Sequence, residues 1–150
     1  TGMTRKNRIS ALAVVVALAA LAALPASANN VPRTGGKIGL LCVYLGTCPA
    51  EQSYAADTPF YVAHGWSDVT DNWQEIVDPD SHFELLIDGE RVPMATDLEL
   101  GLGRDPASVS KTNVANMRHG LPAGTYTFVG RWYGADGNLA FEAVKTVTFS

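Results

Sequence analysis

The segment 67–81 concentrates side chains that could do chemistry. Five carboxylates lie within it, at Asp68, Asp71, Glu75, Asp78 and Asp80. Ca²⁺ takes about six to eight oxygen ligands, which flexible loops often supply. The spacing lacks the Asp-x-Asp-x-Asp-Gly register of a calcium loop, so the pattern favours a solvated acidic loop. No cofactor is predicted, and Ca²⁺ binding with Asp78 and Asp80 among the ligands is the alternative.

Two tryptophans, Trp66 and Trp73, flank the same acidic residues. Exposed aromatic rings beside carboxylates form a platform for a sugar ring or a protein partner, because Trp and Tyr concentrate binding energy. Packing in the core is the competing interpretation for Trp66, which ends a predicted strand, and Trp73 is the better exposed candidate. The candidate ligand-binding residues are therefore Trp66, Asp68, Asp71, Trp73 and Glu75.

Catalytic chemistry has little support in the sequence. His64, His82 and His119 are not spaced like a local pair of zinc ligands. No serine lies in a G-x-S-x-G elbow, and no glycine-rich phosphate loop is present. The chain is therefore predicted to be non-enzymatic.

The chain has two cysteines, Cys42 and Cys48. An even pair in an exported protein is more often a disulfide than two free thiols. The spacing is also poor for zinc, because no histidine or further cysteine lies nearby. A bridge here would restrain a small loop, so its stabilisation should lie towards the low end of ~2–4 kcal/mol.

Residues 1–28 have the three parts of a secretory signal peptide. A basic segment follows Met3, an apolar run covers 11–24, and Pro25-Ala26-Ser27-Ala28 provides a cleavage site after Ala28. The apolar run is shorter than the ~20 residues that span a bilayer. Thr1 and Gly2 are interpreted as an upstream extension. The remainder is predicted to be secreted, periplasmic or attached to the cell surface, without membrane insertion after cleavage.

Cleavage would make the chain more acidic. It removes three of the eleven basic residues, Arg5, Lys6 and Arg8, and none of the fifteen acidic ones, so the formal charge changes from −4 to −7. Nucleic acid and anionic membrane surfaces require a basic patch, so neither is a predicted partner. The balance is compatible with a soluble extracellular domain or with cation binding.

Short strands are the elements that would position the acidic loop. Alternating apolar residues and turn signals predict seven of them, at Thr58–Trp66, His82–Asp88, Arg91–Ala95, Asp97–Leu102, Thr112–Met117, Tyr126–Tyr133 and Leu139–Phe149. Asp88-Gly89 predicts a tight hairpin, and Pro93 places the returning strand at a sheet edge. Within the acidic loop, Asp71–Val77 is predicted to form one helical turn.

The strand pattern predicts a β-sandwich with one apolar core. Nine residues are expected inside it: Val62, Phe83, Leu85, Ile87, Tyr126, Phe128, Trp132, Val147 and Phe149. The phase that fits Val147 and Phe149 does not fit Val144, so a bulge is predicted near Ala143–Val144. Residues 29–52, which include the cysteine loop, are expected to form a flexible leader, and 53–150 the sandwich.

The stretch LPAGTY, Leu121–Tyr126, resembles the tyrosine corner of immunoglobulin-like and fibronectin type III domains. The resemblance covers roughly Tyr54–Phe149 and implies an immunoglobulin-like sandwich of about seven antiparallel strands. It also implies that the Tyr126 hydroxyl bonds the backbone just upstream. The cysteine pair that joins the two sheets in antibody domains is absent. No binding or catalytic residue is implied, because fold does not set function.

These patterns predict an exported, non-enzymatic module that binds a protein or a glycan on its loops or at one sheet edge. A structural or assembly subunit that joins its neighbours through edge strands is the first alternative. A small metal-dependent hydrolase is the second.

Overall fold

The computed structural model describes residues 31–69, 73–101 and 108–150, without the side chains of 67–69, 73, 100 and 101. The predicted signal peptide and its cleavage site lie outside these residues. In the part of the chain described, no helix is both long and apolar enough to cross a membrane.

The described residues form nine strands and two short helices, which confirms the predicted β-rich fold. In chain order these are β1 (Gly36–Lys37), α1 (Leu41–Tyr44), β2 (Glu51–Tyr54), β3 (Phe60–Val69), α2 (Trp73–Val77), β4 (His82–Ile87), β5 (Glu90–Val92), β6 (Ala95–Gly101), β7 (Ser108–Met117), β8 (Gly124–Tyr133) and β9 (Leu139–Phe149). All seven predicted strands have a counterpart. The two additional strands, β1 and β2, come from the predicted leader.

The strands form two sheets, with the orders β1-β3-β7-β6 and β2-β9-β8-β4-β5. Most neighbours are antiparallel, but β1 pairs parallel with β3 and β2 pairs parallel with β9. The sheets are therefore mixed, with nine strands in place of about seven antiparallel ones. Both parallel pairs involve short strands at sheet edges, where a few backbone hydrogen bonds are enough to dock a connecting segment.

The predicted flexible leader, 29–52, contacts β7 from Pro32 onwards: the Pro32 carbonyl accepts the Asn116 side-chain amide, and the Thr34 amide donates to Asn116 Oδ1 at 3.1 Å. Ile38 and Leu40 are 0% and 3% exposed and belong to the apolar core. The Ile38 amide donates to the Tyr61 carbonyl at 2.9 Å. The predicted boundary at residue 53 therefore cuts through structure, because two apolar side chains in a segment rich in Gly and Pro are enough to anchor it.

The cysteine loop adds a second attachment of this segment. Cys42 lies in α1 and forms a disulfide with Cys48, at a Cα–Cα distance of 5.2 Å. Within the apolar run 38–45, Leu41–Tyr44 forms one turn of helix. Tyr44 at the end of α1 stacks on Phe141 of β9, with ring centroids 4.4 Å apart.

The core lies between the two sheets, as the alternating pattern predicts. Eight of the nine expected core residues are buried, and Tyr126 is half-buried. Phe60 of β3 contacts Phe128 and Phe149 of the opposite sheet, with ring centroids 6.0 and 5.4 Å apart. Side chains of one face of each sheet therefore interlock, because successive residues of a strand point to opposite faces.

The Asp88-Gly89 turn has the predicted hairpin geometry. Ile87 pairs with Glu90, and Asp88 and Gly89 have φ angles of 51° and 82°. Positive φ at both central residues fits the right-handed twist of the flanking strands. β5 lies at the edge of its sheet and ends just before Pro93, as expected.

The predicted bulge near Ala143–Val144 is wrong. The register of β8 and β9 shifts opposite Trp132 and Tyr133, where Ala140 is the extra residue. From Ala143 onwards exposure alternates regularly, which leaves Val144 47% exposed and Lys145 only 1% exposed. The pattern misleads because Lys145, a charged residue, points inward: its ammonium donates to the Gly39 carbonyl at 3.2 Å and its alkyl stem lies in the core. Burial lowers the pKa of Lys145.

We expect the stem of Lys145 to matter more than its charge. Lys145→Ala should lower the free energy of unfolding by about 2–4 kcal/mol through the cavity it leaves. Lys145→Met keeps most of the stem and removes a buried cation, so its change should stay within about 1 kcal/mol. Urea denaturation of both variants measures this. Equal losses would show instead that the bond to Gly39 dominates.

The Leu121–Tyr126 corner closes as its pattern implies. The Tyr126 hydroxyl donates to the Pro122 carbonyl at 3.1 Å, and the Tyr126 ring meets Phe149 edge-on at 5.7 Å. Gly120, just upstream, has φ of 67°, and a Cβ there would lie 2.5 Å from the Thr58 backbone. Only glycine fits this position, so the start of β8 is fixed by both a close approach and a hydrogen bond.

Removing the Tyr126 hydroxyl should lower the stability of the protein only modestly. Tyr126→Phe loses one neutral hydrogen bond and is expected to lower the free energy of unfolding by about 1 kcal/mol. Chemical denaturation gives the value, with Tyr44→Phe as the control for loss of a hydroxyl from an exposed ring. A Tyr126→Phe variant as stable as the wild type would show that backbone geometry alone, without the hydroxyl, stabilises the corner.

Candidate functional site

A pocket of about 360 Å³ opens towards the end of the sheets where β8 ends and β9 begins. β3, β8 and β9 supply most of its walls, α1 contributes Leu41, and the segment 73–81 contributes Glu75 and Ser81. The lining residues are Leu41, His64, Gly65, Trp66, Glu75, Ser81, Trp132, Tyr133, Gly134, Ala140 and Phe141. Most of these are apolar or aromatic, with a few polar groups, as in typical ligand sites.

An aromatic cluster of His64, Trp66, Phe83, Trp132 and Phe141 lies at the pocket, and all of these residues except Phe83 line it. Trp132 is at its centre: its ring stacks on Phe141 at 4.5 Å and contacts Phe83 at 4.8 Å. His64 meets Trp132 edge-on, with ring centroids 4.9 Å apart, and lies 5.3 Å from Trp66. The rings of the two sheets therefore touch at the bottom of the pocket.

The two-residue period of the strands brings these rings together. On β3, His64 and Trp66 continue the row of Phe60 and Val62, but nearer the end of the core, where burial is only partial. On β8, Trp132 follows Phe128 and Gly130 in the same row. A Cβ at Gly130 would lie 2.8 Å from the Phe83 ring and 2.9 Å from Leu40, so the absent side chain leaves room for them.

Two polar groups in this cluster are unusual. Burial, aided by the positive charge of Lys37, lowers the pKa of His64 to about 4, so the imidazole is neutral at pH 7. The Trp132 Nε1–H is buried and has no hydrogen-bond acceptor among the described residues. Buried indole N–H groups usually find a partner, so this donor is an exception within the core.

Two carboxylates lie near Gly134 at the pocket rim: Glu75 lines the pocket, and Asp136 lies beside Gly134 outside the lining. Measured from the position that a Cβ on Gly134 would take, Asp136 Oδ1 lies at 3.1 Å and Glu75 Oε1 at 4.0 Å. The sum of these distances, 7.1 Å, is the largest separation that the two oxygens can have. Hydrogen bonds from the Asn138 amide and side chain lower the pKa of Asp136. Asp136 is therefore ionised at neutral pH.

A buried lysine fixes the chain segment below this rim. The Lys111 ammonium on β7 donates to the Asp78 carbonyl at 2.7 Å and to the Ser81 carbonyl at 2.5 Å. Burial lowers the pKa of Lys111, and the charge of Asp78 opposes this effect. These bonds hold the connection from α2 to β4 against the four-stranded sheet and so position Glu75.

The structure brings two of the five predicted ligand-binding residues into the pocket, Trp66 and Glu75. Asp71 and the side chains of Asp68 and Trp73 lie outside the described residues, so their part in binding stays a prediction. The sequence missed the contribution of His64 and Phe141. Trp132 was predicted as a core residue, and it both packs in the core and lines the pocket.

The two weak metal candidates, Asp78 and Asp80, stabilise a turn. Asp78 Oδ1 accepts the Asp80 amide at 2.9 Å, and the Asp80 carbonyl lies 2.7 Å from His82 Nδ1. Within the described ranges, no group of three or more His, Cys, Asp or Glu side chains is placed to hold a metal ion. A Ca²⁺ site that includes Asp68 or Asp71 involves side chains outside those ranges and is still only a prediction.

Comparison with protein-family models, curated proteins and solved structures finds no match to this chain. The chemistry of the pocket is the basis for its interpretation. Aromatic walls suit a flat ring or an alkyl chain, and the rim carboxylates suit a positive charge or a hydroxyl. The arrangement can bind a ligand that presents some of these groups.

The lowered pKa of His64 predicts a loss of stability in acid. The pKa of His64 is 6.5 in the unfolded chain and about 4 in the folded chain, so protonation favours the unfolded chain. The free energy of unfolding that neutral His64 preserves is therefore fully present above pH 6.5 and is lost as the pH falls towards 4. We expect a loss of about 2 kcal/mol, below the full value for this pKa shift because His64 is partly exposed. Urea denaturation across this range, compared with His64→Gln, isolates the effect from other groups. Parallel pH profiles for the two proteins would contradict it.

Proposed function

We propose that this protein is an exported, non-enzymatic, immunoglobulin-like module that binds a partner macromolecule, a protein or a glycan, through the aromatic pocket. The observation that carries this proposal is the pocket itself. It brings Trp66 and Glu75, which the sequence nominates as ligand-binding residues, together in one mostly apolar and aromatic recess.

The strand order supports an immunoglobulin-like assignment. If β3, β7 and β6 are strands B, E and D, and β4, β8 and β9 are strands C, F and G, every pairing among these six strands matches the immunoglobulin order. The Tyr126–Pro122 hydrogen bond lies at the start of β8, where that fold has its tyrosine corner. The Cys42–Cys48 disulfide closes a local loop and does not join the sheets, which departs from antibody domains.

The position of the pocket supports a binding role. In this assignment the B–C connection is residues 70–81 and the F–G connection is residues 134–138, and both contribute to the pocket rim. Variable domains place binding loops at this end of the sandwich. Loops that a rigid scaffold holds in place are the usual carriers of binding residues.

Export is supported by two independent features. The first is the signal-peptide pattern of residues 1–28. The second is the Cys42–Cys48 disulfide, since disulfides persist in oxidising compartments and are rare in the cytosol.

Substitutions in the pocket test the proposal. Trp66→Ala should weaken binding to partners found on a glycan array or among extracellular proteins by about tenfold or more, because an aromatic anchor contributes about 1.4 kcal/mol or more. Tyr61→Ala, on the same strand but outside the pocket lining, is the matched control. Circular dichroism of both variants establishes that they are folded.

The same variants distinguish partner binding through the pocket from the alternative, an assembly subunit. Partner binding that survives Trp66→Ala unchanged would remove the pocket from the proposal. Concentration-dependent oligomers in light scattering, equally present in wild type and Trp66→Ala, would favour assembly through edge strands such as β6, which ends the four-stranded sheet.

A further inference from the structure

We infer that the pocket takes a cationic side chain, a lysine or an arginine, from a protein partner. The aromatic cluster would hold the alkyl stem, and the carboxylates of Glu75 and Asp136 would take the charge. This inference rests on the proposed function and narrows the partner from a protein or glycan to a protein with an exposed basic residue.

The floor of the pocket suits the stem of a basic side chain. Trp66, Trp132 and Phe141 present aromatic surface, and Leu41 adds an aliphatic side. Lysine and arginine bury their methylene groups against such surfaces and keep the charged group near water. A cation over the face of a tryptophan ring is further stabilised by the negative potential of that face, most strongly where water is excluded.

The rim supplies the countercharge at the place where the charged group would emerge. Glu75 Oε1 and Asp136 Oδ1 both lie close to Gly134 and are no more than 7.1 Å apart, so one ammonium or guanidinium group can approach both. Asp136 already accepts two hydrogen bonds from Asn138, but an ionised carboxylate has about four acceptor positions. It therefore keeps capacity for a ligand.

No basic residue of the pocket lining competes for these carboxylates. Of the residues that line the pocket in the described part of the chain, none is Lys or Arg, and the single histidine, His64, is neutral at pH 7. Of the cations nearby, Lys111 bonds two backbone carbonyls and Arg131 pairs with Glu142 at 2.7 Å, whereas Lys37, whose charge acts on His64, lies outside the pocket lining. The formal charge of −7 expected after signal cleavage would also attract a basic partner at long range.

A protein partner fits this pocket better than a glycan. A sugar residue inside it would bury several hydroxyls against mostly apolar walls, and burying an unpaired hydroxyl is unfavourable. A peptide with a lysine or arginine brings one charged group and one apolar stem. Each of these groups has a counterpart in the pocket.

A peptide array tests the inference directly. Short peptides identical except for one central residue, Lys, Arg, norleucine or Glu, are displayed at high density beside neutral oligosaccharides, and the chain without residues 1–28 is applied. Norleucine keeps the alkyl stem of lysine and lacks the charge. We expect Lys and Arg peptides to retain about tenfold more protein than norleucine peptides, and Glu peptides to retain least. High salt should reduce the difference, because the rim charges are exposed.

Two variants link the retention to the pocket. Glu75→Gln should lower retention on Lys and Arg peptides by about fivefold and leave norleucine peptides unaffected, since it removes charge and keeps shape. Glu90→Gln, at the tip of the hairpin at the opposite end of the sheet, is the matched control and should retain wild-type behaviour.

The outcomes separate this inference from the proposed function. Retention on norleucine peptides equal to that on Lys peptides, or a Glu75→Gln variant that behaves like wild type, overturns the cation inference. Retention on oligosaccharides that Trp66→Ala abolishes, without retention on basic peptides, also overturns it but keeps the proposed function with a glycan partner. If Trp66→Ala changes binding to none of the array surfaces and to no extracellular protein, the cation inference and the proposed function both fail.

Discussion

The contact of Trp132 with rings from both sheets is the interaction on which core and pocket jointly depend. Its indole stacks on Phe141 of the neighbouring strand, packs on Phe83 in the same sheet and meets His64 of the opposite sheet edge-on. Aromatic pairs at such distances contribute about 0.5–1.5 kcal/mol each beyond the area they bury. Because the same ring ends the core and begins the pocket, the shape of the pocket is set by the packing that stabilises the fold. A pocket built in this way is largely preformed, which reduces the entropy lost on binding.

Buried polar groups give the structure its other constraint. Lys111 and Lys145 each place an ammonium against backbone carbonyls, and these bonds attach irregular segments to the sheets: 78–81 in one case and the segment around Gly39 in the other. A buried polar group is costly unless it is paired, so these segments can take few other positions. The two lysines thereby order the segments that carry Glu75 and Leu41. The pocket walls that do not belong to strands are positioned by charge as well as by apolar contact.

Much of the sheet structure could be predicted from the sequence, because strand alternation, the Asp88-Gly89 turn and the Leu121–Tyr126 corner are local signals. Each depends on the conformational preference of a few neighbouring residues, and each was found where expected. Predictions failed where the polarity of a residue or the composition of a segment did not match its position in the fold. Lys145 points into the core and so shifted the apparent phase of β9, and two apolar residues anchor a segment whose Gly and Pro content indicates a leader. Of the candidate site, Trp66 and Glu75 could be nominated locally, whereas His64 and Phe141 could not, since neither residue carries a binding signal in its own neighbourhood.

The sequence by itself determined the β-rich fold, most of the core, the pairing of the two cysteines and the acidic character of the chain. These follow from composition and from periods of a few residues, which are independent of how distant segments meet. Only the tertiary structure decided the parallel docking of β1 and β2, the inward turn of Lys145 and the convergence of α1, α2, β3, β8 and β9 on one pocket. The rings of His64, Trp132 and Phe141 are far apart along the chain, and their contact arises from sheet packing. The carboxylates of Glu75 and Asp136 approach each other for the same reason, since their loops meet only when the two sheets close on a common core.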